Sequence, residues 1–207
     1  MGVFYLRFFM GMVGVLLLTG CSSISTVRDY NKNITNYTGD KKVGVAFDTD
    51  NNQVRVYPET KACIDLYSAS NGFLPRGAFD FRGLSDKKRI GIPEVEGMRK
   101  ISQEYWVSAN NNIAIRVIYT GDTGTNNFFS LKQIVSESVI VFKPQPGAFY
   151  YVKVDFDNQS VEARKYLRVY QIIEGSTGGE QLKHVEILNV KNCPGQKPWY
   201  MKGGAII

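Results

Sequence analysis

Residues 105–119 read Tyr-Trp-Val-Ser-Ala-Asn-Asn-Asn-Ile-Ala-Ile-Arg-Val-Ile-Tyr. An aromatic run meets successive asparagines, whose short amide side chains favour turns. Ile113, Ile115, Val117 and Tyr119 then recur with a period of two, which places them on one face of a β-strand. The same period repeats downstream. Val135 to Phe142 forms the next strand, and Pro144-Gln145-Pro146-Gly147 turns the chain, with proline fixing φ and glycine supplying positive φ. Tyr150, Val152, Val154 and Phe156 line one face of the strand that follows, with Phe149, Tyr151, Lys153 and Asp155 on the other. Tyr166–Ile173 and Leu182–Leu188 supply two more strands, separated by a glycine-rich loop at 175–179.

Upstream, Lys42 to Phe47 and Gln53 to Tyr57 alternate on either side of a turn-rich stretch, and they read as a hairpin ended by Pro58. Ala62–Tyr67 is a third short strand. Residues 70–100, rich in glycine and interrupted by Pro75 and Pro93, read as loop and short strand, with one apolar piece at Arg89–Ile92. After residue 43 no long window keeps a helical period. The expectation is an all-β domain, an antiparallel β-sandwich of about 8–10 strands, with a closed lipocalin-like β-barrel as the alternative pattern.

Composition bounds the rest. The chain has 207 residues, of which 43% are hydrophobic and 21% charged, so it can bury a core and is neither disordered nor a multi-span membrane protein. The formal charge is +6. Short basic clusters at Lys41-Lys42, Lys87-Lys88-Arg89, Arg99-Lys100 and Arg164-Lys165 read as solvated loops and strand ends, or as a face for anionic headgroups. No zinc-finger or RNA-binding spacing is present, so nucleic acid is not an expected partner.

Phe8–Leu18 is an apolar run of 11 residues behind a single positive charge, Arg7. That suits a signal-peptide core and is short for a spanning helix of about 20 residues. Directly after it, Leu18-Thr19-Gly20-Cys21 resembles a bacterial lipobox. The resemblance implies cleavage before Cys21, diacylglycerol on its sulfur and acylation of its new amino group. Two or more acyl chains anchor stably where one is marginal. Ser22 and Ser23 follow, and the missing Asp beside Cys21 implies the outer membrane; the expected side is the periplasm, with the cell surface as the alternative. The expected organisation is a signal peptide over 1–20, a lipidated cysteine and flexible tether over 21–42, and a β-sandwich domain over 43–207. The Phe142–Val152 stretch, a Pro-Gly turn before an aromatic-rich strand, resembles a hairpin of immunoglobulin-like or transthyretin-like domains in proteobacterial lipoproteins. That resemblance implies the fold and no activity.

With Cys21 lipidated, Cys63 and Cys193 are the remaining thiols in an oxidising compartment, so they are expected to pair. Catalytic candidates are sparse. His184 is the single histidine, lies within a strand, and has no nucleophile elbow to serve. A histidine-based zinc site is not expected. Asp48-Thr49-Asp50-Asn51-Asn52 begins like a calcium loop, but Gln53 stands where that loop needs glycine. Gly121-Asp122-Thr123-Gly124 carries one Asp-Thr-Gly triplet, read as a turn. Glu94, Glu96 and Glu104 could supply the paired acids of a glycosidase. Trp106 could stack on a sugar, and Trp199 and Tyr200, between Pro198 and Lys202, form a possible contact surface.

The functional expectation is a non-enzymatic envelope lipoprotein that acts by binding or assembly. It has no metal or cofactor, a lipid anchor in the membrane, and an envelope protein or glycan as partner. An envelope carbohydrate hydrolase using two carboxylates and a lipocalin-like carrier of a small apolar ligand are the rivals.

Overall fold

A computed structural model describes residues 32–48, 54–74, 89–99, 102–122, 133–154, 167–176 and 178–198. The strands are β1 (Lys42–Asp48), β2 (Val54–Thr60), β3 (Gly72–Phe73), β4 (Ser102–Ser108), β5 (Asn112–Asp122), β6 (Gln133–Phe142), β7 (Phe149–Val154), β8 (Leu167–Glu174) and β9 (Glu180–His184). No helix occurs among the described residues. The strands form two sheets, one ordered β4-β1-β7-β8-β9 and the other β3-β2-β5-β6. The domain is an all-β sandwich. The sheets do not close on each other, so the lipocalin-like barrel is not the architecture.

The period of two is what places the core. Val43, Val45 and Phe47 of β1, Tyr150, Val152 and Val154 of β7, and Leu167 and Val169 of β8 point inward from the first sheet. Val54 and Val56 of β2, Ile113, Ile115 and Val117 of β5, and Ile140 and Phe142 of β6 meet them from the second. Each such side chain contributes about 1.5–3 kcal/mol on burial.

The outer faces are also covered, so β1 and β2 are buried almost throughout rather than alternately. Residues 89–99 form a strap over the first sheet, where Ile92 and Val95 pack on Ala46, Tyr151 and Ile172. Gly44 makes room for it: a Cβ there would lie 2.6 Å from the Phe149 ring, beside Ile90. On the second sheet Ile64, Leu66, Leu188 and Val190 cover Tyr57, Ala114 and Val141.

Several local expectations change. The stretches read as a β1–β2 hairpin belong to different sheets: β1 pairs with β4 and, in parallel, with β7, while β2 pairs with β3 and β5. The Phe142–Val152 stretch is likewise no hairpin, because β6 ends in one sheet and β7 begins in the other. The turn between them does form, with Ala148 N–H donating to Gln145 O at 3.0 Å and Gly147 at φ 83°. A tight turn fixes chain direction, whereas sheet membership depends on which edge is free to receive the strand.

Pro58 does not end β2. It sits at a register shift between Tyr57 and Thr60, where its missing N–H is tolerated. Ala62–Tyr67 is reduced to one bridge, Ile64 to Asn192. The last strand stops at His184, after which the chain crosses to the second sheet, with Leu188 N–H donating to Val141 O at 2.8 Å. The packed unit begins at Asn33, so the C-terminal part of the stretch read as tether over 21–42 belongs to the domain. Ile34 N–H donates to Phe73 O, Tyr37 N–H donates to Trp106 O, and Ile34 is buried.

Candidate functional site

Cys21, Trp199 and Tyr200 lie outside the described residues, as do 49–53 and the Thr123-Gly124 end of the Asp-Thr-Gly triplet. Cys63 and Cys193 form a disulfide, with Cα atoms 4.8 Å apart. Trp106 is half-buried on β4, 6.1 Å from the Phe149 ring, with the Lys42 ammonium 4.9 Å from its ring centre. His184 is exposed on β9, its ring 4.5 Å from that of Tyr170.

Of the three acids, Glu94 and Glu104 share one guanidinium, that of Arg89. Glu104 is buried at 1% exposure, and its Oε2 accepts the N–H groups of Ile90, Gly91 and Ile92 at 2.6, 3.0 and 3.2 Å. Its Oε1 accepts from Arg89 Nη1 at 3.2 Å, and the same Nη1 lies 3.2 Å from Glu94 Oε1 on the surface. The apolar piece at Arg89–Ile92 is therefore not a strand. It is a loop whose amides converge on one carboxylate. Accepting several backbone N–H groups holds a carboxylate in place and uses up its lone pairs. Glu104 clamps the strap, and Glu96 lies exposed on it.

Asp48, where the run that begins like a calcium loop starts, is 3% exposed beneath the same strap. The Tyr151 hydroxyl donates to Asp48 Oδ1 in a short hydrogen bond, and Arg99 N–H donates to that hydroxyl at 3.2 Å. Arg99 Nε lies 3.9 Å from Asp48 Oδ2. Burial pushes the Asp48 carboxyl above its ordinary value, opposed by the Tyr151 hydrogen bond and by Arg99. Burial and the neighbouring carboxylate likewise push the Tyr151 phenol up.

A folded value raised above the unfolded one favours the protonated acid. Its stabilising contribution is present below the unfolded value of 3.8 and is lost as pH rises through the folded value. Asn at this position mimics the neutral acid. The expected result for Asp48→Asn is a smaller loss of urea midpoint between pH 4 and pH 7 than the parent shows. An identical pH slope in the two proteins would contradict this account.

The outer face of the second sheet holds two buried arginines that the sequence reading missed. Arg55 and Arg116 are 1% and 2% exposed and stand directly opposite each other on β2 and β5. Arg55 Nη2 donates to Leu66 O at 3.4 Å, and its guanidinium lies 4.9 Å from the Phe73 ring centre. Arg116 donates to Glu137 at 2.9 Å and to Asn192 Oδ1 at 2.5 Å. Tyr57 lies beside both guanidiniums, 5.4 Å from each. Leu66 and Asn192 belong to the two arms joined by the disulfide. In Val-Arg-Val and Ile-Arg-Val the arginines looked like the solvent side of an alternating strand. The cysteines that close the arms over them were the available signal.

One end of the sandwich carries an open cleft of about 250 Å³, lined by Thr60, Lys61, Ala109, Asn110, Asn111, Asn112, Lys143 and Pro144. Three turns build it: the end of β2, the β4–β5 connection and the start of the β6–β7 connection. The asparagines that signalled a turn in the sequence form one wall. Asn110 is oriented by its amide, which donates to Tyr37 Oη at 2.9 Å and to Ser108 Oγ at 3.1 Å. Lys61 and Lys143 are exposed at its rim. Asn33 lies at the other end of β2, bridged to Phe73, which pairs with Arg55. At about 3.4 Å per residue, the point where the chain joins the domain and the cleft are separated by roughly 17 Å along β2.

Compared with protein-family models, with curated proteins and with solved structures, the chain shows no significant match to any of them.

Proposed function

We propose that the chain is a lipid-anchored lipoprotein of the bacterial outer membrane that acts by binding rather than catalysis. The domain holds an anionic envelope partner, protein or glycan, at the turn end of its sandwich. The observation that carries the reading is the polar cleft between Lys61 and Lys143, walled by Asn110–Asn112. Amide groups that donate and accept, set between two ammonium groups, suit a carboxylate- or phosphate-bearing surface. The cleft opens at the end of β2 opposite to Asn33, the first residue of the packed unit. The lipobox-like Leu18-Thr19-Gly20-Cys21 supports the anchor, and the resemblance to lipoproteins with immunoglobulin-like or transthyretin-like domains is in keeping with it.

Two observations weigh against the rivals. Glu104, one of the three acids considered for a carboxylate hydrolase, is buried and committed to the strap amides. The space between the sheets, needed by an apolar carrier, is filled by side chains of both.

The test uses the full chain in intact cells, with a photo-crosslinking residue in place of Asn111. The expected result is a discrete adduct that is lost when Lys61→Glu and Lys143→Glu are combined. An adduct indifferent to that charge reversal, or none, would remove the cleft as the binding site. The anchor is tested separately: Cys21→Ala should abolish metabolic labelling with palmitate, and unchanged labelling would end the lipoprotein reading.

A further inference from the structure

A sandwich of two open sheets has four edges, and each edge exposes a row of N–H and C=O groups that template further pairing. Three edges carry contacts from the protein's own chain, that of β6 at its Val141 end. Along β4, Trp106 O accepts from Tyr37 N–H at 2.9 Å and Trp106 N–H donates to Asn36 Oδ1 at 3.1 Å. Along β3, Phe73 O accepts from Ile34 N–H at 2.7 Å. Along β6, Val141 O accepts from Leu188 N–H. The fourth edge is β9. Among the described residues nothing pairs with its outer side.

The register fixes which groups β9 presents. Val185 N–H donates to Val169 O at 3.3 Å and Gly175 N–H to Gly179 O at 2.5 Å, in line with the pairing of Gln171 with Lys183 and Ile173 with Gln181. In an antiparallel ladder bonded and non-bonded pairs alternate. Gln181 and Lys183 therefore spend their backbone groups on β8. Glu180, Leu182 and His184 point theirs outward.

We infer that β9 is the interface of a symmetric homodimer, in which the β9 strands of two copies pair antiparallel about a two-fold axis at Leu182. The self-complementarity of the strand names the occupant. A two-fold at Leu182 sets Leu182 against its own copy and Glu180 against His184 in both directions. All three outward-facing residues then pair with outward-facing residues, so every exposed backbone group of the strand finds a partner. On one face, carboxylate meets imidazole on each side of a central Leu–Leu contact. On the other, Gln181 meets Lys183, and no like charges oppose. A shift of the two-fold by one residue leaves Glu180 against Leu182 and His184 beyond the strand end.

The dimer face continues an apolar strip already present. Leu182 and Tyr170 are half-buried against the cluster under the strap, with Phe149 and Met98 beside them. Two-fold, self-complementary interfaces are the commonest route to soluble homo-oligomers, and strand addition supplies main-chain bonds without a pocket. The joined sheet would have ten strands, five from each copy. This inference does not depend on the cleft or on its ligand.

The test uses the full chain in detergent, with mass read by sedimentation velocity and by native mass spectrometry. The parent should be dimeric at micromolar concentration. Leu182→Pro removes one outward N–H and no bond to β8, so the strand should survive and the mass should halve. Should that variant fail to fold, Glu180→Lys, at an exposed position, gives the same readout. It should dissociate the dimer, and adding His184→Glu to it should restore association.

Cross-linking checks the register. Directly opposite bonded residues have Cα atoms about 5.5 Å apart, within disulfide reach. Leu182→Cys should therefore give a reducible covalent dimer in the native envelope. A monomeric parent, a dimer untouched by Leu182→Pro and Glu180→Lys, or failure of the charge swap to restore association would each overturn the inference.

Discussion

Replacing Cys63 and Cys193 together by alanine is expected to lower the unfolding free energy by about 4–5 kcal/mol. The bridge spans a sequence separation of 130 residues, so its removal releases a long loop in the unfolded chain. The native state suffers as well, because the bridge joins the two arms that roof the second sheet. Ile64 N–H donates to Lys191 O, Cys193 N–H to Ile64 O, and Leu66 N–H to Gln196 Oε1 at 2.7 Å, all close to the disulfide. Arg55 and Arg116 lie under these arms, bonded to Leu66 and Asn192. Against a total stability of roughly 5–15 kcal/mol, the loss would leave the domain marginal. Urea unfolding of the parent and the double variant measures it, and amide exchange at 64–66 should accelerate in the variant. A midpoint within experimental error of the parent would show that the arms hold without the bridge.

Glu104→Ala should cost about 3 kcal/mol or more. The carboxylate serves the amides of Ile90, Gly91 and Ile92 and the guanidinium of Arg89. Buried donors left without an acceptor cost about 1–3 kcal/mol each unless water reaches them. The cheapest relaxation is for the strap to lift and hydrate. That relaxation forfeits the packing of Ile92 and Val95 on Tyr151 and Ala46 and exposes Asp48. Glu104→Gln should fall between the two proteins, since it keeps an acceptor and places an NH₂ among donors. Amide exchange at 90–92 is the decisive readout: it should rise by orders of magnitude in the alanine variant while β5 and β6 stay protected. Unchanged protection there would mean that the strap is held by its apolar contacts alone.

The strands were legible because each carries its own period. Val43-Val45-Phe47, Ile113-Ile115-Val117 and Tyr150-Val152-Val154 marked an inward face without reference to any other part of the chain. The covered outer faces were less legible. Gly44, Ala46 and Ala114 are small, and Tyr151, Arg55 and Arg116 are amphipathic, so neither set reads as core in isolation. Their burial comes from segments distant in sequence, 89–99 and the arms at 61–71 and 185–196. For the same reason Glu104 could be listed among acids but not read as a clamp: its donors are loop amides, which carry no residue signature. The asparagines at 110–112 announced a turn, and only the meeting of three turns made a cleft of it.

The sequence by itself determined that the chain folds as β, where most strands begin and which residues face inward, since a period of two is a local property of the backbone. The disulfide was also determined there, as two thiols left over once Cys21 is set aside. Only the tertiary structure decided which strands share a sheet. A strand offers two equivalent edges, and the choice between them rests on how all the others stack. That choice sent β1 to pair with β4 and β7 rather than β2, and among the described residues it left the outer side of Glu180–His184 without a paired strand.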